Sequence, residues 1–328
     1  MRHLIRSFFA AITLWSIGLS IPNTALAQGT YPSKTIHLYT GFAVGGGTDI
    51  LARALAAKLG PAMNNIPVVV ESYPGANGNI AAQMVARAPG DGYTLMMTTA
   101  PHAVNASILR NLNYDPIKSF TPVISIASVP MILVVSSSSP VKSVADLIAL
   151  AKSKPGQVSF SSGGEGSIEH LSGLLLEQAT GIKLLHVPYR GAGSSLTDLI
   201  GGRIDMAFNT APSVMPLIKS GALRPLAISD RERITILPNL LTMQEAGVPN
   251  FISTTWYGIL APAGVPKEVV TRLNTELEKS LREKDMQELF AGLGAKATGG
   301  TPEQFGSFMA AEINKYAKIV KDFNLYRN

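Results

Sequence analysis

The chain has 328 residues, 46% of them hydrophobic and 15% charged, with a formal charge of +6 and no cysteine. That length allows two domains, and the missing cysteines exclude a disulfide framework and a thiol nucleophile. The basic residues are dispersed, without the clustered patch and aromatic partners that nucleic acid requires, so a nucleic-acid partner is not expected.

Arg2 and Arg6 precede an apolar run over 8–21, and Ala25-Leu26-Ala27 has the small-residue pattern of a signal-peptidase site. Residues 1–27 therefore read as a secretion signal cleaved after Ala27. The run is shorter than the about 20 residues that span a bilayer. Removing 27 of 328 residues leaves 301, and losing Arg2 and Arg6 lowers the charge from +6 to +4. The periplasm is the expected compartment.

Strand 36–40 leads through a glycine-rich turn, Gly41 to Gly47, into helix 49–59, with Thr48 as the N-cap and Gly60-Pro61 as the stop. Strands 68–70, 93–98 and 131–135 follow. Helix 144–154 starts behind Ser143 and ends at Pro155-Gly156. Strand 158–161 then leads through Gly163, Gly164 and Gly166 into helix 167–179, closed by Gly181. Strand 184–187, helix 194–200 and strands 204–208, 223–228 and 256–260 continue the alternation. Three amphipathic helices, 267–283, 285–293 and 302–323, are expected on the outside of one lobe. Short strands apolar on both faces, alternating with helices, predict an α/β fold with two parallel-rich sheets and flanking helices. No single linker divides the chain, so two crossings are expected, near 122–128 and 223–229. They give a discontinuous lobe 1, residues 31–124 plus 226–328, around lobe 2, residues 125–225.

The usual signatures of chemistry are absent. There is no G-x-S-x-G elbow and no P-loop. Gly45-Gly46-Gly47 runs into Thr48-Asp49-Ile50, and Glu169 stands where a dinucleotide fingerprint needs its last glycine. No histidine pair has metal-ligand spacing. No catalytic residue, metal or cofactor is assigned, and an enzyme is not expected. A general acid or base would have to come from His102, His170 or Asp205.

The two strand–glycine turn–helix units carry the functional reading. A helix N-terminus offers unpaired N–H donors and about half a positive charge, and glycine lets backbone approach a ligand. Two such units offer N–H groups to one anion, most simply a carboxylate. Gly45, Gly46, Gly163, Gly166 and Ser167 are the candidates there. Thr98, Thr99, Ser161, Asn209 and Thr210 end strands, where open sheets place their ligands. Tyr189 and Arg190 follow strand 184–187, and the Arg190 fork suits a second carboxylate. His170 is expected to bond a neighbouring turn, Asp49 to cap its helix, and Trp256-Tyr257 to pack. Phe42 suits either the apolar body of a ligand or the core.

These stretches, in this order, resemble the Bug-type receptors of tripartite tricarboxylate transporters. The matching residues are Gly45-Gly46-Gly47-Thr48-Asp49 with Ala52-Arg53; Pro74-Gly75-Ala76-Asn77-Gly78 with Asp91-Gly92-Tyr93-Thr94-Leu95; Gly166-Ser167 with His170-Leu171; His186-Val187-Pro188-Tyr189-Arg190-Gly191; Gly201-Gly202-Arg203-Ile204-Asp205; Leu237-Pro238 with Glu245-Ala246-Gly247; and Trp256-Tyr257-Gly258 with Ala261-Pro262-Ala263-Gly264. The resemblance implies a two-lobed periplasmic binding fold, type II-like, with the ligand cleft between the lobes. It implies a small organic carboxylate held by main-chain groups of Phe42, Ala43, Val44, Gly45 and Gly46, and delivery to a membrane permease. A monomer is expected, with a leaning towards a dicarboxylate of aliphatic or aromatic body. A sensor for a signalling partner, or an exported enzyme acting on a small acid, are the alternatives. Two departures stand out. Ser72-Tyr73 precedes the Pro74-Gly75 turn where Asn-Arg is commoner, and Glu165 sits inside the second glycine turn, where it is expected to be solvated.

Overall fold

The computed structural model describes residues 31–42, 44–45, 47–189 and 192–327. The expected signal over 1–27 and the site candidates Ala43, Gly46 and Arg190 lie outside the described residues.

In chain order the elements are β1 (Ile36–Thr40), α1 (Gly47–Ala62), β2 (Val68–Ser72), α2 (Asn79–Ala86), β3 (Thr94–Thr99), α3 (Ala100–Ile108), β4 (Phe120–Ser136), α4 (Val144–Ser153), β5 (Ser159–Ser162) and α5 (Ile168–Thr180). Then come β6 (Leu185–Pro188), α6 (Ala192–Ile200), β7 (Met206–Thr210), α7 (Ala211–Lys219), β8 (Leu223–Ile228), β9 (Thr254–Pro262), α8 (Lys267–Leu281), α9 (Lys284–Gly292), β10 (Lys296–Gly299) and α10 (Pro302–Asp322).

The strands run in the order β2-β1-β3-β9-β4-β7-β5-β6, with β8 and β10 also pairing β4. The outer strands are parallel: β1 with β2 and β3, and β5 with β6 and β7. The centre is antiparallel. Strand β4 pairs β9 from Phe120 to Pro130, then β7 from Met131 to Val134 and β8 from Ile132 to Ser136. One strand thus belongs to both halves of the sheet. Two parallel-rich halves are joined through β4, and the α/β class holds.

Several sequence expectations need correction. The strand expected at 131–135 is the end of a 17-residue strand. Pro122 and Pro130 made its first part look interrupted, because a proline cannot donate to a ladder. Burial on both faces made β4, β8 and β9 resemble parallel strands, yet their pairings with one another and with β3 are antiparallel. Helix α1 begins at Gly47, so Thr48 lies inside its first turn, and it runs through Pro61 to Ala62. Pro61 is next to last in the helix, so the bond it cannot donate and the crowding of its ring fall at the helix end. Helices α2, α3 and α7 and strand β10 were not foreseen. The cap at Ser143 is present, its hydroxyl accepting from Asp146 N–H at 3.0 Å; Ser167, expected as the first residue of its helix, caps α5 instead and accepts from His170 N–H at 3.3 Å. Gly181 closes α5 at φ 71°.

The C-terminal helices cover the first half of the sheet. Helix α10 packs on α3 and β4, and α8 on α1 and β4. Trp256 of β9 is fully buried and donates from Nε1 to Glu312 Oε2 of α10 at 2.9 Å. This anchors the long helix on the strand that leads to the site.

Candidate ligand-binding site

Four helices begin around one cavity of about 330 Å³. Gly47 and Thr48 open α1 after β1, and Thr99 caps α3 after β3. Ser167 caps α5 after β5, and Thr210 caps α7 after β7. Each start follows a strand's carboxyl end, which is where open sheets collect ligands. Each brings unpaired N–H groups and about half a positive charge. The Thr99 and Thr210 side chains make no capping bond to their own helices, so neither N-cap side chain occupies the first-turn N–H groups of α3 or α7.

The loop after β1 is held by backbone contact. A Cβ on Gly41 would collide with the Gly78 Cα, so these two chains touch where only glycine fits. The turn carrying Gly78 includes Ala76 and Asn77 at φ 45° and 57°. The buried Asn105 of α3 fixes it by donating from Nδ2 to Asn77 O at 3.1 Å. Phe42 leans on Gly78 and, with Asn77, faces the cavity. Buried Asp49 ties the other end of the loop. It accepts from Gly45 N–H at 2.9 Å and pairs with the Arg53 guanidinium at 3.0 Å. Arg53 holds the Asp49 carboxyl below the usual range, with Gly45 N–H adding to it against the cost of burial. Asp49 therefore shapes the glycine turn from behind: it lies inside the first turn of α1 and accepts from Gly45, before the helix, instead of capping the helix as expected.

Tyr257 of β9 closes the floor. Its hydroxyl lies where a Cβ on Gly47 would come within 3.2 Å. Burial, and then the charge of Glu169, push its phenol up to about 12. It is neutral at physiological pH and serves as a hydrogen-bonding group. Met131, at the point where β4 passes between the sheet halves, and Thr255 complete this side.

Of the sequence candidates, Phe42, Thr99, Gly163, Ser167, Asn209 and Thr210 meet in the cavity. The other described candidates do not line it. Val44 is 67% exposed, and the N–H of Gly45 is engaged by Asp49. Thr98 and Ser161 are buried in the sheet, their hydroxyls unpartnered among the described residues. Gly166 packs on α3, where a Cβ would lie 2.7 Å from Ile108 Cδ1. Tyr189 donates its hydroxyl to Asp198 at 2.7 Å. Sequence reasoning missed Thr48, Asn77, Glu169, Ser213, Thr255 and Tyr257. One signal was available for Ser213: the triplet Thr-Ala-Pro occurs at 99–101 and again at 210–212, each time as a cap with proline in the first helical turn.

The general acid–base candidates are committed elsewhere, and none lines this cavity. His102 is buried with Nε2 bonded to Pro116 O at 2.9 Å, and burial pushes its pKa down. His170 accepts at Nδ1 from Gly166 N–H at 3.1 Å, the neighbouring-turn role expected of it. Asp205 accepts from Ser159 N–H and Oγ, both at 2.7 Å. Among the described residues no cluster of potential metal ligands occurs.

A family model described as the tripartite tricarboxylate transporter family receptor, TctC, matches residues 51–325. The chain belongs to this receptor family. Protein BugT of Bordetella pertussis is 35% identical over 313 residues, 95% of each chain. Among solved structures, an R. palustris protein bound to adipate is 39% identical, with a TM-score of 0.83 over 89% of this chain and 97% of its own. MatC of Rhodopseudomonas palustris with bound malate is 28% identical, with a TM-score of 0.79 over 88% and 100%. The mixed sheet with flanking helices, parallel at its two outer parts and antiparallel at its centre, is consistent with the two-lobed binding fold expected from the sequence.

Proposed function

We propose that this receptor captures a small organic carboxylate in the cavity between the two sheet halves and delivers it to a membrane permease of the tripartite type. The observation that carries this reading is the convergence of four helix N-termini on one cavity. Such ends favour an anion through both N–H donors and dipole. Relatives of this family hold adipate and malate. The protein works in the periplasm after cleavage behind Ala27, as a monomer, and carries out no chemistry on its ligand. Arg190, which follows β6 in sequence, is kept as a candidate cation for a polar end of the ligand.

The lobes are residues 31–124 plus 226–328 and residues 125–225, with the β4 boundary moved to 130/131 because Ser125 to Pro130 still pair β9, and closure bends the chain where it crosses between the halves. On β4 the partner changes from β9 to β7 at Pro130–Met131, so bending concentrates there. A thermal-shift screen of organic acids tests the reading. An acid present at a hundred times its dissociation constant stabilises by about 2.7 kcal/mol. A screen in which no carboxylate raises the melting temperature would remove it.

A further inference from the structure

Glu169 is the one charged side chain among the described residues that line the main cavity. It lies in the first turn of α5 and is half-buried. Its carboxylate comes close to the Gly163 turn, 3.6 Å from where a Cβ on that glycine would stand. Its charge reaches the buried Tyr257 hydroxyl and helps push that phenol up. Two other first-turn acids have partners. Asp49 pairs with Arg53, and Asp146 accepts from Lys142 N–H at 3.0 Å. Glu165, four residues before Glu169, pairs with Arg327. Glu169 has no ion-pair or hydrogen-bond partner among the described residues. A carboxylate facing a partly enclosed space without a partner is costly, and a donor or cation offsets that cost.

The geometry points to Glu169 as the specificity residue that selects a ligand with a cationic ammonium group as well as a carboxylate. This rests on the carboxylate-receptor reading above and names the class of ligand. The ligand carboxylate faces the helix N-termini, and its ammonium donates to Glu169. A dicarboxylate would place its second negative charge in the same small volume as Glu169 and be repelled. The zwitterion also suits the rest of the lining, in which the hydroxyls of Ser213 and Thr210 and the amide of Asn209 are neutral groups. The proposal departs from the leaning of the sequence towards a dicarboxylate and from the adipate and malate held by the two relatives above.

Isothermal titration of the mature chain tests the assignment with matched pairs of probes. Each straight-chain diacid of four to seven carbons is paired with the ω-amino acid of the same length, and terephthalate with 4-(aminomethyl)benzoate. The wild type is expected to prefer the amino acid of a pair. Glu169→Gln should weaken amino acids by about ten- to a hundredfold, since a hydrogen bond to a charged group is lost, and should tighten diacids. Glu169→Asp should keep the direction of preference, and unliganded melting temperatures should stay close, which separates selectivity from folding. A wild type that prefers diacids, with a ratio unmoved by Glu169→Gln, overturns the assignment. So does diacid binding that appears only with calcium and vanishes with chelator, which makes Glu169 a cation-bridge ligand. Loss of diacid binding in Arg190→Ala alone, with Glu169→Gln silent, overturns it in favour of the arginine. If neither kind of acid binds to any variant, the receptor reading fails first and this assignment with it.

Discussion

The Glu165 carboxylate and the Arg327 guanidinium form an ion pair that joins the second glycine turn to the end of the chain. Arg327 is itself held on the first half, its N–H donating to Ile108 O at 2.7 Å at the end of α3. Gly166 lies against the same Ile108. The two halves therefore meet beside the site at a charged contact and a close apolar one. The pair surrounds a second cavity of about 310 Å³ that shares Asn77 and Gly163 with the main one. Glu165, expected to be solvated, is exposed but paired, with Arg327 holding its carboxyl below the usual range.

Arg327→Ala should weaken ligand binding modestly. Exposed ion pairs contribute about 0.2–1 kcal/mol, which corresponds to roughly 1.4- to fivefold in affinity. The effect should shrink at high salt, because screening removes it. The exchange Glu165→Arg with Arg327→Glu should restore part of the loss. Affinity identical to wild type in both single variants, at low salt, would show that the pair does not favour the closed form.

Gly41→Ala should abolish binding and lower stability. The added Cβ meets the Gly78 Cα, which is backbone and cannot rotate away. The loop that carries Phe42 must then lift from the Asn77 turn. Overpacking of this kind costs about 1–3 kcal/mol. Titration with an acid that binds the wild type, beside a chemical denaturation curve, checks both parts. Unchanged affinity would show that the loop's contact with the turn is not needed.

About half of the site could be read from the sequence, because glycines announce themselves. The turns after β1 and β5 stand out through Gly45 and Gly163, and Ser167 marks where the second turn leads into its helix. The starts of α3 and α7 were hidden. Both are short and apolar, and Pro101 and Pro212 look like breakers when the helix is not yet known. Tyr257 reads as core from sequence and is buried, yet its hydroxyl is on the cavity side. Glu169 looked only like a fault in a glycine fingerprint. Its orientation depends on how the Gly163 turn folds back, which no local pattern encodes. In the fold, β4 escaped because strand pairing is long-range, and its burial comes from partners far away in the chain.

Asp49→Ala should loosen the first glycine turn. It removes the acceptor of Gly45 N–H and leaves Arg53 without its partner. Hydrogen bonds to charged groups contribute about 1.5–3 kcal/mol, so a stability loss of that order is expected, with ligand affinity falling at least tenfold. The folded pKa of Asp49 lies below its ordinary value of 3.8. Its contribution is therefore full above pH 3.8 and is lost as the pH falls through the lower folded value. Denaturation curves for wild type and variant should converge in strong acid and separate towards neutrality. Parallel curves over the whole range would place the Asp49 effect in packing instead of charge.

His170 should make the protein lose stability on mild acidification. Its ring stacks on His186 at 3.9 Å between centroids, and Phe160 stacks behind both. Burial first, and then the His186 ring and Arg327, push the pKa of His170 from 6.5 to about 4, with Glu165 opposing them. The unfolded chain then binds a proton that the folded chain refuses. Stability from this group is full above about pH 6.5 and is lost as the pH falls towards about 4. His186 shifts in the same direction, for burial first, and adds to the slope. Protonation would also cost His170 Nδ1 its role as acceptor for Gly166 N–H, the residue that seats the second turn on Ile108. His170→Gln keeps a hydrogen-bond acceptor and has no titration in this range. It should lower the melting temperature at pH 7.5 and flatten its dependence on pH between 6.5 and 4. Melting curves at half-unit steps through this window, with and without a bound acid, measure the slope. A slope in His170→Gln equal to that of wild type would assign the acid sensitivity to other groups, His102 and His186 first among them.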